Sequence, residues 1–215
     1  MTELNASIRH QGLPIRMRHL PISDEGFPVP WFVAFVDGKA DFRCIGPGKL
    51  HKAIRLQLCW LCGYPLGRFV SFVIGPMCAI NRTSAEPPCH RECAEYAVRT
   101  CPFLTRPRMR RNEKDLPEHQ LPPGEMITRN PGVALIWTTR GYTVRQVDNG
   151  VLFYLGAAPT SLQWFANGKH ATRAEVQHSI ATGLPLLQRM AQEESAEAVR
   201  ELQVQVGRAM QLLPA

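Results

Sequence analysis

Two short segments that pair soft metal ligands, Cys59-Trp60-Leu61-Cys62-Gly63 and Cys89-His90-Arg91-Glu92-Cys93, constrain this chain more than anything else in it. Zinc in a structural site takes four ligands in a tetrahedron, and two residues between paired cysteines let one tight turn aim both sulfurs at a single ion. Cys59 and Cys62 meet that demand, and Gly63 directly after them permits the sharp backbone turn. His90 and Cys93 stand at i and i+3, so on the first turn of a helix they share a face, where the dipole favours a thiolate. Cys89 competes with His90, because its i, i+4 relation to Cys93 also suits a helix. His90 is preferred since it places the ligand pair at the helix entry. The expected cofactor is one zinc ion held by Cys59, Cys62, His90 and Cys93 as a structural staple. Cys44, Cys78 and Cys101 are read as small core residues.

Composition supports reduced thiols in a folded protein. Apolar residues make up 45% of 215 and charged ones 20%, which excludes a largely disordered chain. Seven cysteines are an odd number, and Met1-Thr2-Glu3-Leu4-Asn5-Ala6-Ser7 lacks a signal-peptide core, so the expected location is the cytoplasm. No run approaches the ~18 apolar residues of a membrane span. The net charge of +7 favours polyanions. Its densest cluster, Arg106, Arg108, Arg110 and Arg111, is the candidate nucleic-acid contact. Glu113, Asp115 and Glu118 answer part of that charge, and a solvated linker is the other reading of the run.

The order of elements follows from periodicity and punctuation. Four prolines between Pro14 and Pro30 mark an irregular arm, and Trp31–Val36 with Ala40–Cys44 around Asp37-Gly38 predicts a hairpin. Lys49–Leu58 has helical rhythm and leads into the first cysteine pair. Arg68–Ile74 is a predicted strand, with Met77–Ile80 as its return. Pro87-Pro88 prepares a helix over Glu92–Arg99, closed by Cys101-Pro102. Residues 106–131 are proline-rich and basic, a linker or long loop. A three-stranded meander is expected over Val133–Thr139, Tyr142–Val147 and Val151–Leu155, turning at Asp148-Asn149-Gly150. Thr172-Arg173-Ala174-Glu175 has capping-box spacing, Gly183-Leu184-Pro185 is expected to interrupt the helix it opens, and a second helix is expected from about Leu184 to Leu213. The fold class is therefore α+β, with a zinc-stapled unit in 1–105, the linker, and a meander with C-terminal helices in 132–215.

A Cys-x2-Cys knuckle, a hairpin and a helix whose first turn carries the last ligands resemble the treble-clef zinc finger, over about Leu58 to Arg99. The chain also resembles uncharacterised zinc-knuckle proteins of bacteria and their phages. That second resemblance is carried by Leu58-Cys59-Trp60-Leu61-Cys62-Gly63, Ile74-Gly75-Pro76-Met77-Cys78, Glu86-Pro87-Pro88-Cys89-His90-Arg91-Glu92-Cys93 and the Ala171 to Leu187 segment. It implies a phage or mobile-element origin and brings no activity with it. Treble clefs of the His-Asn-His nuclease kind place a catalytic histidine on the hairpin between the ligand pairs. Between Cys62 and Cys89 there is no histidine, and Asn81 and Arg82 lack a general base beside them. The expected function is a zinc-binding, non-enzymatic protein that recognises nucleic acid or a host protein. A metal-dependent nuclease, or another enzyme with an unrecognised site, is the alternative.

Overall fold

The computed structural model describes residues 3–107, 109, 130–156 and 158–215. The N-terminal arm contains one short helix, α1 (Ala6–Arg9), a 3-10 turn at Ile15–Met17, and an antiparallel bridge between Ile22 and Pro28. The hairpin follows as β1 (Val33–Val36) and β2 (Lys39–Ile45), then α2 (Lys49–Leu56). Next come β3 (Val70–Ile74), α3 (Pro76–Asn81), β4 (Thr83–Ser84), α4 (Arg91–Thr100) and α5 (Pro102–Thr105). The chain then forms β5 (Val133–Thr139), β6 (Tyr142–Val147), β7 (Gly150–Leu155), β8 (Ser161–Ala166) and β9 (Lys169–His170), and ends in α6 (Arg173–Glu194) and α7 (Ala196–Met210). The fold is α+β, with every paired strand antiparallel.

The centre is a sheet in the order β3-β5-β8-β9. Side chains alternate across a pleated strand, and β5, rich in β-formers and buried along its whole length, sends them into two separate cores. Val133, Leu135 and Trp137 join Phe72, Phe153, Val176, Ile180, Leu187 and Leu202 on one face. Ala134 and Ile136 join Cys59, Cys62, Cys93, Val98, Phe165, Met17 and Leu20 on the other. Helices α3, α6 and α7 thus cover one side, and α4, the cysteine pairs and the N-terminal arm cover the other. Because β3 pairs with β5 from Val70↔Thr139 to Ile74↔Leu135, one sheet joins chain from before and after residues 106–131.

Three sequence expectations are corrected. Met77–Ile80 is not a returning strand: it lies in α3, where Pro76 occupies the helix start and Pro76, Ala79 and Ile80 are buried at i, i+3, i+4. The meander over 133–155 is split. Both edges of β5 are taken by β3 and β8, so β6 pairs with β7 alone, in a second sheet ordered β4-β7-β6. The Thr139 hydroxyl donates to the Gly141 carbonyl at 3.0 Å and shapes the corner that carries the chain from one sheet to the other. Finally, Gly183-Leu184-Pro185 does not end a helix. α6 runs through Pro185 because its buried stripe, Val176, Ile180, Gly183, Leu187 and Ala191, keeps helical phase on both sides, and that burial outweighs the ~3 kcal/mol cost of an interior proline. The break comes instead at Ser195, extended at φ −173°, whose hydroxyl accepts from the Ala198 amide at 3.0 Å and caps α7. The Thr172 and Glu175 capping box is formed as expected. Trp164 Nε1 donates to the Leu212 carbonyl at 2.9 Å and ties the end of the chain back to the sheet. Among the described residues, no helix is long and apolar enough to cross a membrane.

Candidate metal centre

The knuckle is closed by backbone hydrogen bonds. The Cys59 amide donates to the Tyr64 carbonyl and the Gly63 amide to the Cys59 carbonyl, both at 2.8 Å, while Leu58 and Pro65 bridge its base. Gly63 is required here: its φ is +75°, and a Cβ would meet the Trp31 ring at 2.5 Å. Trp31 also donates its amide to the Leu61 carbonyl at 2.7 Å, so the chain entering the hairpin braces the turn.

The second pair is delivered by one rung of sheet and a helix start. Ser71 and Cys89 exchange both backbone hydrogen bonds at 2.8 Å. His90 is the N-cap of α4, and the helix that begins at Arg91 puts Cys93 on its first turn, beneath the knuckle. The hairpin expected between the ligand pairs is therefore reduced to that single rung, with α3 and β4 in the intervening chain. The helix that carries the last two ligands has the expected form.

Cys59, Cys62, His90 and Cys93 converge so that one ligand atom from each lies within 4.8 Å of all the others, and the set can hold a metal ion. The three cysteines are buried and His90 is half-buried. His90 Nδ1 lies 3.3 Å from Cys62 Sγ and 4.0 Å from Cys93 Sγ. Its Nε2 lies 3.0 Å from the Pro65 carbonyl. A carbonyl only accepts, so Nε2 carries the proton, and in the neutral ring Nδ1 then presents its lone pair to the cluster. Two backbone amides, of Cys62 at 3.5 Å and His90 at 3.4 Å, point at Cys59 Sγ and favour its thiolate.

Charge within the cluster is strongly limited. Hydrogen bonds from Cys62 and Cys93 hold the Cys59 thiol far below its ordinary range. Hydrogen bonds with Cys59 first and then Cys62 push the His90 imidazole up to about 10. Cys93 is driven upward by Cys59 and Cys62. The four groups favour one thiolate at Cys59 beside an imidazolium at His90, and they penalise a thiolate at Cys93. A divalent cation is what allows several thiolates to share so small a volume.

Cys89 is excluded from the cluster by direction. Its thiol donates to the Ser71 carbonyl at 3.1 Å, and burial pushes its pKa well up. None of the seven cysteines forms a disulfide; Cys44 is buried, and Cys78 and Cys101 are partly so. Desolvation raises the pKa of Cys78 and Cys101, as for inert core thiols. Arg106 is exposed beyond α5, with its carbonyl accepting from the Met109 amide at 2.9 Å; Arg108, Arg110 and Arg111 lie outside the described residues. Asn81 ends α3, and Arg82, in the left-handed region at φ +52°, places its guanidinium 5.9 Å from the Trp137 ring centre. Two partners of the centre escaped sequence reasoning. One is the Pro65 carbonyl, for which sequence holds no signal. The other is the arm: Met17, 2% exposed, packs in the core that contains the cluster, and Arg16 pairs with Glu92, which lies between the two ligands of α4. Compared with protein-family models, curated proteins and solved structures, the chain matches none.

Proposed function

We propose that the protein is a non-enzymatic binding protein of phage or mobile-element origin, working in the cytoplasm, in which a zinc ion holds a recognition surface in shape. The reading is carried by the completeness of the ligand set: three thiols and an imidazole supply all four positions of a tetrahedral ion and leave none for a substrate. Soft sulfur donors favour zinc over magnesium or calcium, which take oxygen. The role of such an ion is mechanical, joining the knuckle to α4. The partner is nucleic acid or a host protein, and the charge of +7 places nucleic acid first.

The test pairs binding with cleavage. Labelled DNA and RNA strands are titrated with the zinc-loaded protein, and the same mixtures are incubated with magnesium or manganese. Binding with the strands left intact is the expected outcome. Cleavage would replace the reading with the metal-dependent nuclease, and silence in both assays would move the partner to a host protein. If Arg106, Arg108, Arg110 and Arg111 contact phosphates, their joint replacement by alanine lowers the salt slope of duplex binding by up to ~0.9 for each phosphate they neutralise.

A further inference from the structure

The corner between β5 and β6 and the end of β7 form an open surface cleft of about 610 Å³, within the ~300–1,000 Å³ of sites that take small ligands. Arg140, Tyr142 and Tyr154 line it, and no lining residue is acidic. Two cations lie on rings beside it. The Arg140 guanidinium sits 5.0 Å from the centre of Phe69, and that of Arg145 sits 4.5 Å from the centre of Tyr154. Among the described residues neither arginine makes an ion pair, whereas Arg9, Arg16, Arg43 and Arg91 each face a carboxylate. Phe69 is 46% exposed.

This pattern selects a ligand class. An arginine held over a ring has lost much of its side-chain freedom before binding, yet its N–H edges stay available for a phosphate. Exposed rings and guanidinium planes are surfaces on which unpaired bases stack. In a duplex the base faces are covered by their neighbours, so such a surface favours single strands. We infer that this cleft binds single-stranded nucleic acid, with Arg140 and Arg145 taking backbone phosphates and Phe69 and Tyr154 offering stacking faces to bases. The inference rests on the nucleic-acid form of the proposed function and assigns it to residues other than Arg106, Arg108, Arg110 and Arg111.

The test uses the full zinc-loaded chain and an oligothymidine longer than the ~4–16 nucleotides that one binding module covers. The R140A/R145A variant should bind at least ~10-fold more weakly, with a salt slope reduced by up to ~1.4, about 0.7 for each of the two phosphates left without its arginine. The R140K/R145K variant should keep the slope and lose affinity, because lysine retains the charge without the planar face. Phe69→Leu should weaken binding roughly five-fold with the slope unchanged. Melting curves matching the wild type show that each variant is folded. Wild-type affinity and slope in R140A/R145A would overturn the cleft while leaving nucleic-acid binding elsewhere on the chain intact. Equal affinity for duplex and single strand would overturn it as well. A wild-type protein that binds no strand would overturn both the cleft and the nucleic-acid reading beneath it.

Discussion

The two faces of the central sheet are filled with different materials. Against α3, α6 and α7 lie Phe72, Leu135, Trp137, Phe153 and Val176, large side chains whose burial alone makes a core. Against α4 the sheet offers Ala134, Ile136 and Phe165, and four cysteines share that core with Tyr96, Val98, Met17 and Leu20. Thiols bury less area than the aromatic rings of the other face, and a metal can add the stability that a small core lacks. The difference sets a face held by apolar packing beside a face built around a cluster that can hold a metal ion. Both faces share β5, which sends alternate side chains into each. The arm belongs to the side of the cluster, since Met17 and Leu20 pack there and Arg16 reaches Glu92.

The largest effect should follow from breaking the metal face. Cys62→Ala or Cys93→Ala removes a ligand from a site whose class contributes ~10–16 kcal/mol of apparent binding energy in small zinc domains. Amide exchange is expected to show the knuckle, α4 and the arm losing protection, while α6 and α7 keep theirs. Simultaneous loss everywhere would mean that the two faces form one cooperative unit. His90→Ala should behave like the cysteine variants and Cys89→Ser should retain the metal, because Cys89 is turned toward Ser71; metal content by elemental analysis checks both, and the opposite pattern would hand the ligand role to Cys89.

The apolar face should be breakable without touching the ion. Phe72, 1% exposed, packs against Tyr142 and Phe153, and Phe72→Ala is expected to cost ~3–5 kcal/mol in denaturant unfolding with metal content unchanged. Loss of metal in that variant would show that the faces are coupled through β3. A milder cut on the same side is Thr172→Ala, which removes the cap of α6 and should cost about 1 kcal/mol.

The smallest effect is expected outside both cores, in the hairpin. Two hydrogen bonds from the Arg43 guanidinium, at 2.7 and 2.9 Å, hold the Asp41 carboxylate down to about 2. A folded-state value below the unfolded value near 3.9 stabilises the fold above pH ~4, and the contribution disappears as pH falls toward 2. Arg43→Ala should therefore lower stability at neutral pH by up to ~1 kcal/mol and flatten that acid limb, read from melting curves between pH 2 and 6. An unchanged acid limb would assign it to other carboxylates.

Much of the metal centre was legible because ligand chemistry is local. Cys59-x2-Cys62 and the His90, Cys93 pair name themselves by spacing, and Pro87-Pro88 announces the helix that carries the second pair. Sequence could not decide between Cys89 and His90, since a helix entry accepts either spacing. The decision rests on a long-range contact, the Ser71 rung that turns Cys89 inward and leaves His90 facing Cys62. Strand partners were hidden for a similar reason. Val133–Thr139 reads as a strand from its own residues, but its central place in the sheet follows from β3 and β8, and its burial on both faces from the two cores they share. Pro185 shows the limit of a local rule: the proline disfavours a helix at its own position, and the buried stripe from Val176 to Ala191 overrides it.

The central claim, that Cys59, Cys62, His90 and Cys93 hold one structural metal ion, is tested most directly by mass. Protein expressed without added metal and weighed intact under native conditions should carry one zinc per chain, released when the same sample is weighed under denaturing conditions. A native mass equal to the bare chain, in protein whose melting curve is cooperative, would contradict the account.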